Sequence, residues 1–126
     1  MAPVPKTVLI VEDDEDTRTV YADALRERGY RVLTATQGAE GVHLARRHRP
    51  DLILLDIRMP VMDGWEAARY IKSDLAISGV PICAISAYDL EAGEMEESAR
   101  QYFDCFLMKP IDPKTVADEV DRRIGG

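Results

Sequence analysis

The centre of this chain carries the stretch Leu52-Ile53-Leu54-Leu55-Asp56-Ile57-Arg58-Met59-Pro60-Val61-Met62-Asp63-Gly64. Its four leading apolar residues predict a strand that is buried on both faces, as in the middle of a parallel sheet. Pro60 disfavours helix for the residue before it, and Asp63-Gly64 is a second turn signal. We therefore expect Asp56 where a buried strand ends in a loop, which is where open α/β sheets place their binding sites.

Similar strand patterns recur along the chain, and helical patterns separate them. The predicted strands cover residues 7–11, 31–35, 52–55, 81–85 and 105–108. The predicted helices cover about 14–28, 39–48, 65–76, 90–101 and 113–124. This alternation predicts an α/β fold with a doubly wound, five-stranded parallel sheet between two layers of helices. The length of 126 residues suits a single domain over residues 1–126, with its core at about 6–124.

The apolar spacing also predicts which side chains the helices bury. In the first helix the inward positions are Val20, Tyr21, Ala24 and Leu25. In the third helix they are Ala68, Ile71 and Leu75. The fourth predicted helix has a thin apolar stripe, so we expect it to be loosely attached.

Composition narrows the functional classes. The chain has 16 basic and 23 acidic residues and a net charge of −7, which opposes direct binding to nucleic acid or to an anionic membrane. The sequence shows no secretory leader and no membrane-spanning apolar run, so we expect a cytoplasmic location. Cys83 and Cys105 lie in apolar strand-like segments outside any Cys-x-x-Cys or Cys/His motif, which favours buried free thiols over a disulfide or metal ligands.

Five chemically useful side chains follow the predicted strands. They are Glu12, Asp13, Asp56, Ser86 and Lys109. Parallel strands end at one edge of a sheet, so these side chains should converge, and clustered carboxylates raise one another's pKa unless a cation lies between them. Mg²⁺ prefers oxygen ligands and typically combines a few carboxylates with phosphate oxygens. An aspartate can also accept a phosphoryl group, while lysine and serine can hold its oxygens.

The motifs around these residues closely resemble the receiver domain of two-component response regulators. The matching segments are Val8-Leu9-Ile10-Val11-Glu12-Asp13-Asp14, the D-x-x-M-P-x-M-D-G run from Asp56 to Gly64, Ile85-Ser86-Ala87 and Phe106-Leu107-Met108-Lys109-Pro110. The resemblance extends over about residues 6 to 124. It implies a flavodoxin-like fold with strand order 2-1-3-4-5, and a cis peptide bond between Lys109 and Pro110.

The resemblance also implies a role for each matching acid. Asp56 corresponds to the phosphorylated aspartate and Asp13 to a direct Mg²⁺ ligand. Glu12 replaces the more frequent aspartate and corresponds to the acid that usually acts on Mg²⁺ through water. The backbone carbonyl of Arg58 is expected to complete the protein ligands.

Further roles follow from the same resemblance. Ser86 corresponds to the switch hydroxyl, Lys109 to the phosphoryl-binding lysine and Phe106 to the switch aromatic residue. Arg58 and Tyr88 stand two residues after the phosphoacceptor and two after the switch hydroxyl, where bulky side chains are expected to slow dephosphorylation. Tyr102-Phe103 stands where many relatives have Gly-Ala. A bulkier core is our preferred interpretation of this difference, and a partner-contact patch is the alternative.

The implied function is a phosphoacceptor signalling module, not a turnover enzyme. A histidine kinase or histidine phosphotransfer protein would donate the phosphoryl group to Asp56. The surface of the fourth predicted helix, the fifth strand and the last helix would then change and bind an output partner or a fused output domain, or form a homodimer. Two alternatives stay open, namely a haloacid-dehalogenase-like Mg²⁺-dependent hydrolase and a pseudo-receiver that is not phosphorylated. Arg58 argues against the hydrolase, which has a second aspartate at that position.

Overall fold

The computed structural model describes residues 4–57, 64–86 and 101–125. Within these ranges the strands are β1 (Thr7–Val11), β2 (Arg31–Ala35), β3 (Leu52–Asp56), β4 (Ile82–Ser86) and β5 (Cys105–Met108). The helices of the same ranges are α1 (Glu15–Glu27), α2 (Gly38–His48), α3 (Gly64–Ser73) and α4 (Pro113–Ile124). The predicted helix over 90–101 lies outside the described residues except for Gln101.

All five strands form one parallel sheet in the order β2-β1-β3-β4-β5, which confirms the predicted fold. The register pairs Val11 with Leu55, Asp56 with Ile85, and Ser86 with Met108. The carboxyl ends of β1, β3, β4 and β5 therefore lie side by side at one edge.

The two faces of the sheet carry two separate apolar cores. On one face Leu9, Val11, Ile53, Leu55 and Ala84 pack with residues of α2 and α3. On the other face Val8, Ile10, Leu52, Leu54, Cys83 and Ile85 pack with residues of α1 and α4. Burial of each large apolar side chain contributes roughly 1.5–3 kcal/mol, so the central strands are held firmly on both sides. This rigidity fixes the edge where the strands end.

Helix α1 begins as predicted but buries a slightly different stripe. Asp14 caps it, accepting hydrogen bonds from the backbone nitrogen and the hydroxyl of Thr17 at 2.9 and 2.6 Å. Tyr21, Ala22 and Leu25 form the buried stripe. The predicted inward position of Val20 is wrong, since that side chain is 45% exposed. Each residue turns the helix by about 100°, so Val20 lies roughly 100° from Tyr21 and 140° from Leu25, outside the stripe.

Helix α3 is shorter than predicted. It ends at Ser73, and the side chain of Asp74 accepts a hydrogen bond at 3.0 Å from the backbone nitrogen of Ala76. Such a local bond competes with helical hydrogen bonding and favours a turn. Leu75 consequently lies 93% exposed and not inward, whereas Ala68 and Ile71 are buried as predicted.

Helix α4 begins where the sequence predicts it. The side chain of Asp112 accepts a hydrogen bond at 2.8 Å from the backbone nitrogen of Lys114, and Pro113 occupies the first helical position. Val116 and Val120 are buried, and Ile124 packs at the margin of the same core. In the described part of the chain, no helix has the length and apolarity needed to cross a membrane.

Candidate functional site

Three acids meet at the edge where the strands end. Glu12 follows β1 directly, Asp13 is the next residue, and Asp56 is the last residue of β3. Glu12 and Asp56 are only 2% and 5% exposed, whereas Asp13 is exposed to solvent. One carboxylate oxygen from each acid lies within 4.8 Å of the other two. The structure therefore brings together the three acids that the sequence singled out.

Lys109 reaches the same cluster from the end of β5. Its ammonium nitrogen lies 2.6 Å from Glu12 Oε1 and 3.5 Å from Asp56 Oδ2. Its backbone nitrogen donates a hydrogen bond at 2.6 Å to the carbonyl of Ser86. The bond between Lys109 and Pro110 is cis, as the resemblance implied.

Burial and charge shift the ionisation of this cluster. Burial raises the pKa of Glu12, and its hydrogen bond with Asp56 raises it further, although Lys109 acts in the opposite direction. Burial by itself lowers the pKa of Lys109, but the hydrogen bond with Glu12 and the charge of Asp56 outweigh it, so this pKa lies above its usual value. One ammonium thus faces more than one buried carboxylate. A further cation among the acids would relieve the remaining repulsion.

Arg18 holds the backbone that carries two of the acids, a contact that the sequence analysis missed. Its Nη1 atom donates hydrogen bonds to the carbonyl oxygens of Glu12 and Asp13 at 3.0 and 3.4 Å. Arg18 lies one helical turn beyond the cap residue Asp14, which places it under the loop. That spacing was the available sequence signal, but only the fold shows that the guanidinium turns back toward the loop.

Gly64 provides the close approach between α3 and the end of β3. Its backbone nitrogen donates a hydrogen bond at 3.0 Å to the carbonyl of Ile57. A Cβ atom built at this position would lie 2.5 Å from the carbonyl oxygen of Asp56 and 2.7 Å from Ile57 Cα. Only glycine fits here without moving the backbone. The sequence marked Gly64 as a turn signal and did not predict this contact.

The predicted switch residues occupy neighbouring strands. Ser86 ends β4 and is 1% exposed. Phe106, on β5, is half-buried, and its ring meets that of Phe103 edge-on with centroids 5.7 Å apart. Phe103 is itself 8% exposed and part of the core, which agrees with the preferred interpretation of a bulkier core there. The predicted site residues Arg58 and Tyr88 lie outside the described residues.

The donor set fits Mg²⁺. The three acids offer hard oxygen ligands within mutual reach, and an exposed Asp13 leaves that side of the cluster open to water. Mg²⁺ keeps several waters and is usually bound by one or two carboxylates together with phosphate oxygens. A set of three acids therefore suits it better than it suits Ca²⁺, which takes more oxygen ligands.

A buried acid cluster with a lysine, at the carboxyl edge of a 2-1-3-4-5 parallel sheet, defines the class of phosphoacceptor receiver modules. The family profile described as the response regulator receiver domain matches residues 8–121, and the chain belongs to that family.

Similar proteins agree with this assignment. The chain is 32% identical over 122 residues to the polar-differentiation response regulator DivK of Brucella anthropi, covering 97% of this chain and 98% of that protein. It is 34% identical to the receiver domain of the sensor histidine kinase PA1611 from Pseudomonas aeruginosa, with a TM-score of 0.83 and coverage of 98% and 100%. That crystal structure has a magnesium ion coordinated in the active-site cleft. The chemotaxis response regulator CheY4 of Vibrio cholerae is 27% identical, with a TM-score of 0.86 and coverage of 96% and 100%.

These matches place the chain among two-component signalling modules, in which receiver domains interact with histidine kinases or phosphotransfer proteins.

Proposed function

We propose that this chain is a receiver domain, with its core at about residues 6–124, that accepts a phosphoryl group on Asp56 from a histidine kinase or histidine phosphotransfer protein. The observation that carries this proposal is the buried Asp56 carboxylate, which lies beside two further acids and 3.5 Å from the ammonium of Lys109. Such a module promotes its own phosphorylation and slow dephosphorylation and is not a turnover enzyme. We place its action in the cytoplasm, with no direct contact to nucleic acid or membrane.

Glu12, Asp13, Asp56 and the backbone carbonyl of Arg58 would hold Mg²⁺. The bound ion would neutralise the carboxylates and the charge that develops on the phosphoryl oxygens. A carboxylate oxygen of Asp56 then forms the bond to phosphorus as the bond from phosphorus to the donor histidine nitrogen breaks. The loose transition state of this transfer needs positioning and charge stabilisation more than covalent help.

Lys109 supplies the second positive charge. In the structure its ammonium pairs with Glu12 at 2.6 Å and stands 3.5 Å from Asp56. Lys109 would turn from Glu12 toward a phosphoryl oxygen when Glu12 helps to hold Mg²⁺. The hydroxyl of Ser86, at the end of the neighbouring strand, would donate a hydrogen bond to another of these oxygens.

A groove beside Lys109 is our proposed docking place for the histidine-bearing helix of the donor. It has a volume of about 390 Å³ and lies between α1 and the segment that follows β5. Its lining residues are Thr17, Val20, Tyr21, Lys109, Pro110, Ile111 and Pro113. The groove is mostly apolar and continuous with the phosphoacceptor edge, so a helix seated in it could present a side chain to Asp56. Val20, which is 45% exposed, would then contact the donor helix.

The groove is tested with Val20→Asp. We expect slower transfer from a phosphorylated histidine phosphotransfer protein and unchanged phosphorylation by acetyl phosphate, which needs no protein docking. Val4→Asp is the matched control, since Val4 is 88% exposed and precedes β1 at the opposite edge of the sheet. Equal transfer rates for both variants and the wild type would contradict the docking assignment.

Output is proposed to pass through Ser86 and Phe106. Phosphorylation adds a charge of about −1.5 to −2 and three acceptor oxygens, and Ser86 turning toward one of them would leave space for the Phe106 ring. The ring is half-buried in the structure, so moving inward would bury apolar surface that is now exposed. The fourth predicted helix, β5 and the last helix α4 would then bind an output partner or a second copy. Amide exchange with a beryllofluoride mimic, compared between wild type and Ser86→Ala, should show changes in β5 in the wild type alone.

The phosphoacceptor proposal is tested by incubating the protein with acetyl phosphate and Mg²⁺ and measuring intact mass. We expect one phosphoryl group per chain, which is absent after chelation. Continuous release of phosphate without an adduct would favour the haloacid-dehalogenase-like hydrolase. No adduct and no phosphate release would favour a pseudo-receiver that binds partners without phosphorylation.

A further inference from the structure

Cys83 and Cys105 form a pair that the phosphoacceptor chemistry does not use. They are register partners on the neighbouring strands β4 and β5, and both side chains belong to the core on the α1 and α4 side of the sheet. Neighbouring strands lie roughly 4.7–4.9 Å apart. A disulfide needs two Cα atoms about 4.4–6.8 Å apart. The backbone spacing therefore permits a bond between these two free thiols.

The surroundings make the two thiols unequal. Cys83 is fully covered, whereas Cys105 keeps 6% of its surface exposed and lies on the last strand of the sheet. Cys105 Sγ lies 3.6 Å from Glu119 Oε1, on α4, and the same oxygen accepts a hydrogen bond from Arg123 Nε at 3.0 Å. The thiol of Cys105 thus faces a carboxylate, which opposes its ionisation, and a guanidinium next to that carboxylate, which favours it.

Hydrogen bonding between the two thiols makes their ionisation unequal. The bond with Cys83 lowers the pKa of Cys105, and the positive charge of Arg123 also favours its thiolate. Together they outweigh burial and the carboxylate of Glu119, which raise this pKa. The same bond with Cys105, together with burial, raises the pKa of Cys83. Reactivity of a cysteine follows its thiolate, so Cys105 is the sulfur that reacts first and Cys83 is the one that keeps its proton.

We propose that Cys83 and Cys105 are a redox site that hydroperoxides oxidise to an intramolecular disulfide. The Cys105 thiolate attacks the peroxide oxygen, the O–O bond breaks, and a sulfenic acid forms while the alcohol or water leaves. The sulfur of Cys83 then attacks the sulfur of Cys105, and hydroxide leaves and takes the Cys83 proton as water. The two thiols together lose two electrons and two protons, and the hydroperoxide is reduced by two electrons.

The two cysteines lie on β4 and β5, the strands whose ends carry Ser86 and Lys109. Ser86 ends the strand that holds Cys83, Lys109 follows the strand that holds Cys105, and the Lys109 backbone nitrogen bonds the Ser86 carbonyl. A disulfide would tether these two strands and close residues 84–104 into a loop. The redox chemistry itself requires neither Mg²⁺ nor phosphorylation, so it stands independently of the function proposed above.

The test treats the folded, full-length protein with hydrogen peroxide and measures intact mass and free thiols without denaturant. We expect the loss of two hydrogen atoms per chain, the disappearance of both thiols, a Cys83–Cys105 peptide in the non-reduced digest, and full reversal by dithiothreitol. Asp56→Asn should behave as the wild type does. A disulfide between two chains, the loss of one thiol only, or thiols that react only after unfolding would overturn the proposal.

Three variants separate the roles within the site. Cys83→Ser should stop at a sulfenic acid on Cys105 that dimedone traps, and Cys105→Ser should not react. Glu119→Gln should form the same disulfide several-fold faster, because the negative charge that disfavours the Cys105 thiolate is gone. Dimedone labelling of Cys83 in the Cys105→Ser variant, or an unchanged rate in Glu119→Gln, would contradict the assigned roles. The peptide map of the wild type decides the central claim if a variant does not fold.

Discussion

Replacing Gly64 by alanine is expected to destabilise the protein and to weaken the acid site at the same time. The new Cβ would lie 2.5 Å from the carbonyl oxygen of Asp56, and ordinary contact begins at 3.4 Å, so backbone must move by about 0.9 Å. Overpacking of this kind costs roughly 1–3 kcal/mol. Loss of the hydrogen bond to Ile57 costs roughly 0.5–1.5 kcal/mol more. Alanine favours helix over glycine by about 1 kcal/mol, so the free energy of unfolding should fall by roughly 0.5–3.5 kcal/mol.

Two other glycines provide matched controls. Gly79 has no heavy atom within 4 Å of a built Cβ and no positive φ, so Gly79→Ala should leave stability unchanged or raise it by about 0.4–1 kcal/mol. Gly29 has equal space but a φ of +91°, so Gly29→Ala should cost about 1–2 kcal/mol of backbone strain while leaving the acid site intact.

Unfolding in guanidinium chloride measures the stability of each variant. The affinity for Mg²⁺ is measured by adding the ion and following the fluorescence of Trp65, the only tryptophan. Supporting residues around a metal site typically change affinity by about 10–100-fold, and we expect Mg²⁺ to bind Gly64→Ala about tenfold more weakly. Unchanged Mg²⁺ affinity in both Gly64→Ala and Gly29→Ala would refute the reasoning. A Gly64→Ala variant as stable as Gly79→Ala would refute it as well.

Three further outcomes are expected. A hydrogen bond from Tyr30 holds the pKa of Asp121 below its usual 3.8, so Asp121→Asn should lower the unfolding free energy at neutral pH by less than about 1 kcal/mol. Urea unfolding at decreasing pH measures this difference. It should shrink below pH 3.8 and vanish below the lowered pKa of Asp121 in the folded protein, because the carboxylate is then protonated in both the folded and the unfolded state. Arg18→Gln should weaken Mg²⁺ binding about tenfold in the fluorescence titration, because the carbonyls that Arg18 holds carry two of the acids. The double variant Arg58→Ala, Tyr88→Ala should lose its phosphoryl group faster than the wild type, as followed by intact mass over time. Equal rates of loss would show that these residues do not slow dephosphorylation.

The sheet was predictable because its central strands are apolar on both faces and because turn-forming Pro, Gly and Asp residues separate them. The bounds of β1, β2 and β5 match the prediction, β3 is one residue longer than predicted, and β4 is shifted by one residue at both ends. Helix ends were harder, since a local hydrogen bond of Asp74 ends α3 before the apolar spacing does. The inward face of α1 was also misjudged at Val20, because this apolar residue directly precedes Tyr21 in sequence but lies well away from the buried stripe on the helix surface.

The acids and the lysine of the site were predictable because each stands at a strand end, and parallel strands end together. The supporting contacts of Arg18 and Gly64 were not, since spacing along the chain does not fix the direction in which the Arg18 guanidinium turns or how closely α3 approaches the end of β3. Arg18 reads as an ordinary exposed helical residue, and its bonds to the carbonyls of Glu12 and Asp13 arise only from the angle at which α1 leaves the sheet. The close pair of thiols on β4 and β5 likewise depends on the register of two strands, which the sequence does not specify.

The central claim is that Asp56 itself carries the phosphoryl group, and the most direct measurement is the position of the covalent bond. The protein is treated with acetyl phosphate and Mg²⁺, and borohydride then reduces the acyl phosphate to an alcohol that peptide mass mapping can locate. We predict that the reduced residue is Asp56 and that Asp56→Asn yields none. A reduced residue at Asp13 or elsewhere in the wild type, or stoichiometric labelling of Asp56→Asn, would contradict the account.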